Sequence, residues 1–187
     1  MDLASFSNFE SLCNEEGISV SASLLKTLVI HGGTDMVAGR SVTDSPPDFR
    51  QGFGLLSLTT LLPKASFESW SHYLFIDEAY ISSFQQRAYT IIIHETGTND
   101  PIKVTLSWMD PPNPEFAAKV VLHDLDIVLT TPEGNTFYGN DKRRTGASRD
   151  ELNNVEQIIL PPSTISSAGL YVIRVQSKLL TQSDHQK

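Results

Sequence analysis

The densest run of side chains able to handle a metal or a proton is His123-Asp124-Leu125-Asp126-Ile127, with Gly139-Asn140-Asp141 shortly after it. On an extended strand alternate residues point the same way, so Asp124 and Asp126 share one face about 7 Å apart. One hard cation could bridge them. Asn140, Asp141, Asp150, Asn153, Asn154 and Glu156 add oxygen donors over roughly the next thirty positions. Calcium takes about six to eight such oxygens in loose geometry. Asp124, Asp126, Asn140, Asp141 and Asn154 therefore form the candidate calcium set, although no EF-hand spacing supports it. In the competing reading Asp124 and Asp126 lie on a solvated face, and Asn140 and Asn154 only shape turns.

Nucleophilic catalysis finds less support. A hydrolytic site needs a nucleophile, a base and an orienting acid, and neither G-x-S-x-G nor H-E-x-x-H occurs. The five histidines are His31, His72, His94, His123 and His185. His123 and Asp124 are adjacent, so on a strand they point to opposite faces and cannot pair. The histidines read as surface or strand-end residues. No catalytic residue is expected in this chain.

Composition narrows the classes further. The 187 residues carry 14 Lys and Arg against 22 Asp and Glu, a formal charge of −8, and the longest basic run is Lys142-Arg143-Arg144. Nucleic-acid binding needs a basic face, so it is not expected. At 40% hydrophobic and 19% charged the composition is that of a globular chain. Leu28-Val29-Ile30 and Ile91-Ile92-Ile93 are far too short to span a membrane. No basic-then-apolar stretch opens the chain, so it reads as lacking a secretory signal. The lone Cys13 excludes an internal disulfide and any zinc site built from several cysteines.

The elements that must carry these residues change character near residue 62. Before it, Leu24, Leu25, Leu28 and Val29 recur at helical spacing over 21–31, with Ser21 or Ser23 to cap and Gly32-Gly33 to stop. So short a helix needs a larger surface to pack on. In Gln51-Gly52-Phe53-Gly54 the alternating glycines permit close backbone approach. Beyond residue 70 the period becomes two. Tyr89, Ile91 and Ile93, then Ile102, Val104, Leu106 and Trp108, then Leu125, Ile127 and Leu129, then Tyr171, Ile173 and Val175 each alternate with other residues. Turn sequences separate them, among them Asp110-Pro111-Pro112 and Pro161-Pro162-Ser163. Roughly seven strands without intervening helices predict a mainly β fold, an antiparallel β-sandwich of Greek-key or jelly-roll type.

Taken in order, these residues resemble the C-terminal end of a subtilisin-like serine protease (subtilase) that carries a β-sandwich after its catalytic domain. Ser23-Leu24-Leu25-Lys26-Thr27-Leu28-Val29-Ile30-His31-Gly32-Gly33 resembles the late helix of the catalytic domain. Gln51-Gly52-Phe53-Gly54-Leu55-Leu56 resembles its exit segment, and Lys103 to Pro112 a strand of the following sandwich. His123-Asp124-Leu125-Asp126-Ile127, Gly139-Asn140-Asp141 and Asn153-Asn154-Val155-Glu156 are similar to the family's N-D-L-D-L, G-N-D and N-N-V-E. The similarity covers roughly residues 16–176.

The resemblance implies four parts: a poorly ordered or truncated start at 1–17, a remnant of the α/β catalytic domain at 18–62, a sandwich at 63–177 and a polar tail at 178–187. The family's catalytic Asp, its His in an H-G-T context and its Ser in G-T-S-M-A have no counterpart here. Serine endopeptidase activity thus attaches to the parent architecture, typically secreted, and this chain alone is expected to be inactive. The implied partners are a subtilase catalytic domain in cis and a protein substrate. Without that domain, the helix stripe and Phe49, Phe53 and Leu55 are expected to expose apolar surface. The alternative is a free-standing sandwich binding carbohydrate or protein, with Trp70, Trp108 and Tyr138 as candidate platforms and calcium as a stabiliser of either form.

Overall fold

The Ser21 hydroxyl accepts the Leu24 amide at 3.0 Å and so starts helix α1, Ala22–His31. In the computed structural model, which describes residues 20–36, 47–48, 50–57, 79–97, 101–113, 115–117, 119, 121–141, 149–178 and 180, this helix is the first element. Gly32 ends it, its N–H reaching back to the Leu28 and Ile30 carbonyls. Two-residue strands β1 (Gly33–Thr34) and β2 (Leu55–Leu56) then pair antiparallel. A Cβ on Gly54 would collide with the Thr34 carbonyl, and one on Gly33 with the Phe53 carbonyl. Gly54 also has φ +95, so close approach and backbone conformation both require glycine there.

From residue 86 onward the described residues form six strands: β3 (Gln86–Ile93), β4 (Ile102–Ser107), β5 (Leu125–Thr130), β6 (Thr136–Tyr138), β7 (Val155–Leu160) and β8 (Gly169–Ser177). The only helical turn among them is a 3-10 turn at Pro162–Thr164. One antiparallel sheet has the order β3-β8-β5-β6 and a second joins β4 to β7. Side chains from both sheets meet in one apolar cluster, with Ile127 and Leu129 from β5, Ile158 and Leu160 from β7, and Tyr171 and Ile173 from β8. The fold is mainly β with antiparallel sheets, consistent with the expected sandwich.

At one end a second cluster gathers Ile81, Trp108, Val121, Leu125 and Leu180. Leu180 is buried there, so the two-sheet body runs past the expected boundary at 177. The expected segment 1–17, Phe49, Trp70 and residues 181–187 lie outside the described residues. Strands β6 and β7 were not expected from period two. β6 has only three residues, and β7 buries Glu156 and Gln157 alongside Val155 and Ile158, which erases the alternation of a half-buried strand.

Helix α1 rests on β4 and is fastened to it by polar side chains. Thr27 and Ser107 share a hydroxyl bond of 2.7 Å, His31 Nδ1 meets Thr105 Oγ1 at 2.9 Å, and the Ser107 hydroxyl donates to the Ser23 carbonyl. Lys103 Nζ donates to the His31 and Gly33 carbonyls at 2.6 and 2.7 Å, capping the end of the helix where its dipole is negative. Burial pulls Lys103 down to about 8 and, with Lys103 nearby, pulls His31 down to about 4, so His31 is neutral at neutral pH. Leu24 is buried, but Leu25 and Val29 remain exposed. Lys103→Met is therefore expected to loosen α1 from the sheet. Amides 25–32 should exchange with deuterium at least about tenfold faster while those of β5 and β8 keep their rates; equal protection throughout would show that the lysine does not hold the helix.

Candidate functional site

The Asp124–Asp126 face is neither solvated nor open. Both carboxylates are buried, Asp126 to 2% exposure, because β5 lies between β8 and β6 and is covered on both faces. Each has a cationic partner. Asp126 Oδ2 accepts from Arg149 Nη1 at 2.7 Å, and the same guanidinium lies 5.5 Å over the Tyr138 ring. Asp124 Oδ2 accepts from Lys178 Nζ at 2.8 Å and lies 3.7 Å from Lys119 Nζ. Lys178 also reaches Glu151 at 2.8 Å. Burial opposes the Lys178 charge, but its hydrogen bonds to Asp124 and Glu151 outweigh this and raise its pKa above the ordinary lysine value. The hydrogen bond to Asp126 raises that of Arg149.

The remaining members of the candidate calcium set are engaged by protein as well. Asn140 has φ 56, a left-handed conformation that asparagine tolerates. Its Oδ1 accepts the Gln157 amide at 3.0 Å, its Nδ2 donates to the Val155 carbonyl and to Asp150 Oδ2, and its own amide donates to the Gln157 carbonyl. Asn140 thereby ties the end of β6 to β7 and links the two sheets. Asn154 Oδ1 accepts from Lys26 Nζ at 2.6 Å and its Nδ2 donates to the Trp108 carbonyl, which joins α1 to the turn before β7. Asp141 has partners of its own. No cluster of three or more His, Cys, Asp or Glu with metal-holding geometry occurs among the described residues. Asp124 Oδ2, Asp126 Oδ2 and the side-chain oxygens of Asn140 and Asn154 thus already serve protein donors.

Glu156 stands apart. It is fully buried, and its Oε2 accepts the Ile127 amide at 2.6 Å, taking up an N–H of β5 beyond the three rungs of its ladder with β6. Gly139 packs so closely against this carboxyl that a Cβ would strike Oε2. Burial pushes the Glu156 pKa up to about 9, the Ile127 N–H opposes that, and Asp126, Asp150 and Asp124 push it further. At neutral pH Glu156 is a neutral acid. Its Oε1 and Asp126 Oδ1 are the two carboxyl oxygens buried without a hydrogen-bond partner among the described residues.

His123 does not face Asp124 but approaches Asp110, Nδ1 to Oδ1 at 3.4 Å, longer than a good hydrogen bond. Asp110 mainly serves the backbone, accepting the Leu122 amide at 2.6 Å and that of His123 at 2.9 Å. Trp108 Nε1 donates to the His123 carbonyl at 2.9 Å from a fully buried ring. The Trp108-Met109-Asp110 segment therefore stitches the end of β4 to the entry of β5. No hydroxyl nucleophile is bonded to His123, His31 or His94 in a triad arrangement among the described residues: the hydroxyl partner of His31 is Thr105, a helix contact.

The proposed aromatic platforms fare differently. Trp108 is core, Tyr138 is half-buried beneath Arg149, and Trp70 lies outside the described residues. Among the described residues no helix is long and apolar enough to cross a membrane. Sequence reasoning missed Arg149 and Lys178, the cations that complete the acidic face. Lys178 follows the strand pattern Tyr171-Ile173-Val175 on its alternate face and could have been read opposite Asp124. Arg149 carries no local signal of its partner. Neither a protein-family model nor a curated protein matches the sequence.

Proposed function

We propose that this chain is the non-catalytic C-terminal portion of a subtilisin-like serine protease. In this reading α1 and the β1–β2 ribbon complete the catalytic domain, and the two-sheet unit is a jelly roll that stabilises it. One observation carries most of the weight. The N-terminal unit is fastened to β4 through hydrogen bonds, yet Leu25, Val29, Met36, Leu55 and Leu56 are all exposed on it. Apolar side chains gathered on so small a unit are the mark of a surface made for a partner, and the ordered resemblance of 23–33 and 51–56 to the end of a subtilase catalytic domain says which. The polar seam holds the unit in one orientation, and apolar area buried against the catalytic domain adds about 25 cal/mol per Å².

The free-standing binding module is the weaker reading, because Trp108 is enclosed and Tyr138 is covered by a guanidinium. Two measurements test the proposal. The isolated chain should cleave no peptide substrate; turnover blocked by a serine-directed inhibitor would contradict it. An antibody to residues 149–178 should capture from the source cells a protein well above 20.7 kDa that a fluorophosphonate probe labels. Capture of an unlabelled 20.7 kDa chain alone would end the subtilase reading.

A further inference from the structure

Burying the Asp126 carboxylate, with the uncharged Glu156 carboxyl held on the next residue's N–H, leaves Asp126 in need of a cation. The Arg149 guanidinium supplies it: one nitrogen lies 2.7 Å from Asp126 Oδ2, its central carbon lies 5.5 Å over the Tyr138 ring, and Glu156 lies within its electrostatic reach. What the guanidinium does not satisfy is equally specific. Asp126 Oδ1 and Glu156 Oε1, on side chains 2% and 0% exposed, have no hydrogen-bond partner among the described residues. Asp150 stands close by, held by Asn140 and Asn153.

We propose that Arg149 is the resident cation of this carboxylate cluster, and that removing its guanidinium converts Asp126 and Glu156 into a binding site for a hard divalent cation. The chemistry follows from the donors. Carboxylate oxygens suit calcium, whose loose geometry accepts two buried carboxyls with further oxygens from water. A buried carboxylate that loses the guanidinium bonded to it must protonate or recruit another cation. The site differs from the calcium set expected from sequence: Asp124 belongs to Lys178, Asn140 to β7 and Asn154 to Lys26. It also does not depend on what the whole protein does.

The test uses the full chain, Arg149→Ala, Arg149→Lys and the double variant Arg149→Ala/Glu156→Gln, each melted in chelator and in millimolar calcium. Terbium emission excited through tyrosine gives a direct binding readout, since Tyr138 adjoins the site. The parent should melt at the same temperature in both buffers and give no saturable terbium signal. Arg149→Ala should melt lower in chelator, regain about 5 °C or more in calcium and sensitise terbium saturably. Arg149→Lys, which keeps the charge, should respond like the parent, and the double variant should lose the response. A parent that calcium stabilises would show that a metal, not Arg149, is the resident cation. An Arg149→Ala chain that gains nothing from calcium, whether folded or unfolded, would overturn the second half of the proposal.

Discussion

Replacing Trp108 by alanine is expected to be the most damaging single change, costing about 3–5 kcal/mol. The ring is fully buried, packed with Ile81, Val121, Leu125 and Leu180, and its indole N–H is bonded to the His123 carbonyl. Truncation would open a cavity at one end of the sheets and leave that carbonyl without its donor. Because Trp108 also starts the segment through which Asp110 holds the Leu122 and His123 amides, the entry to β5 should loosen with it. For a domain of this size the melting temperature should fall by roughly 15 °C or more. Trp108→Phe separates the two effects: it keeps most of the apolar volume and loses only the hydrogen bond, about 1–3 kcal/mol. Thermal unfolding followed by circular dichroism reads both. An alanine variant within about 1 kcal/mol of the parent would mean that the ring is not part of the core.

The second large effect is a pH dependence set by Glu156. Its pKa is near the ordinary glutamate value of 4.5 in the unfolded chain and about 9 in the folded one, because burial and the neighbouring Asp126, Asp150 and Asp124 favour the neutral acid. Between those values the folded chain holds a proton that the unfolded chain has released. Unfolding therefore becomes easier as pH rises, with a slope of about 1.4 kcal/mol per pH unit from this one group. The contribution is fully present below pH 4.5 and is lost as pH rises toward about 9. Glu156→Gln keeps an acceptor for the Ile127 amide, offers Asp126 Oδ1 a donor and cannot titrate. The variant should be more stable than the parent at pH 8 and lose that advantage near pH 4.5. Denaturant melts of both chains at several pH values measure the difference. Parallel curves would mean that Glu156 titrates alike folded and unfolded.

Other effects are more local, since Lys103 acts on one helix contact and Arg149 on one ion pair, its guanidinium partly exposed and its carboxylate partner buried. Trp108 and Glu156 differ because each connects several elements. Trp108 joins the ends of β4 and β5, and Glu156 on β7 bonds to β5 in the other sheet.

Much of this architecture was legible in the sequence. Apolar residues at spacing two announced β3, β4, β5 and β8, because each has a side facing the common core. Ser21, a helical stripe and Gly32 marked α1 within a residue of its ends, because capping is a local bond between neighbours. The glycines at 52 and 54 signalled a tight approach that Gly54 makes against Thr34. The acidic pair on β5 was also visible as a pair. Only the tertiary structure decided what those residues face. Nothing in the run His123 to Ile127 says that Arg149 and Lys178 fold back over it, that His123 meets Asp110 rather than Asp124, or that Glu156 replaces a backbone partner for Ile127. Such pairings join residues 13 to 54 positions apart in the chain. Local periodicity records which face of a strand is apolar, whereas the charge that neutralises a buried carboxylate arrives from whichever loop the closed fold brings over it.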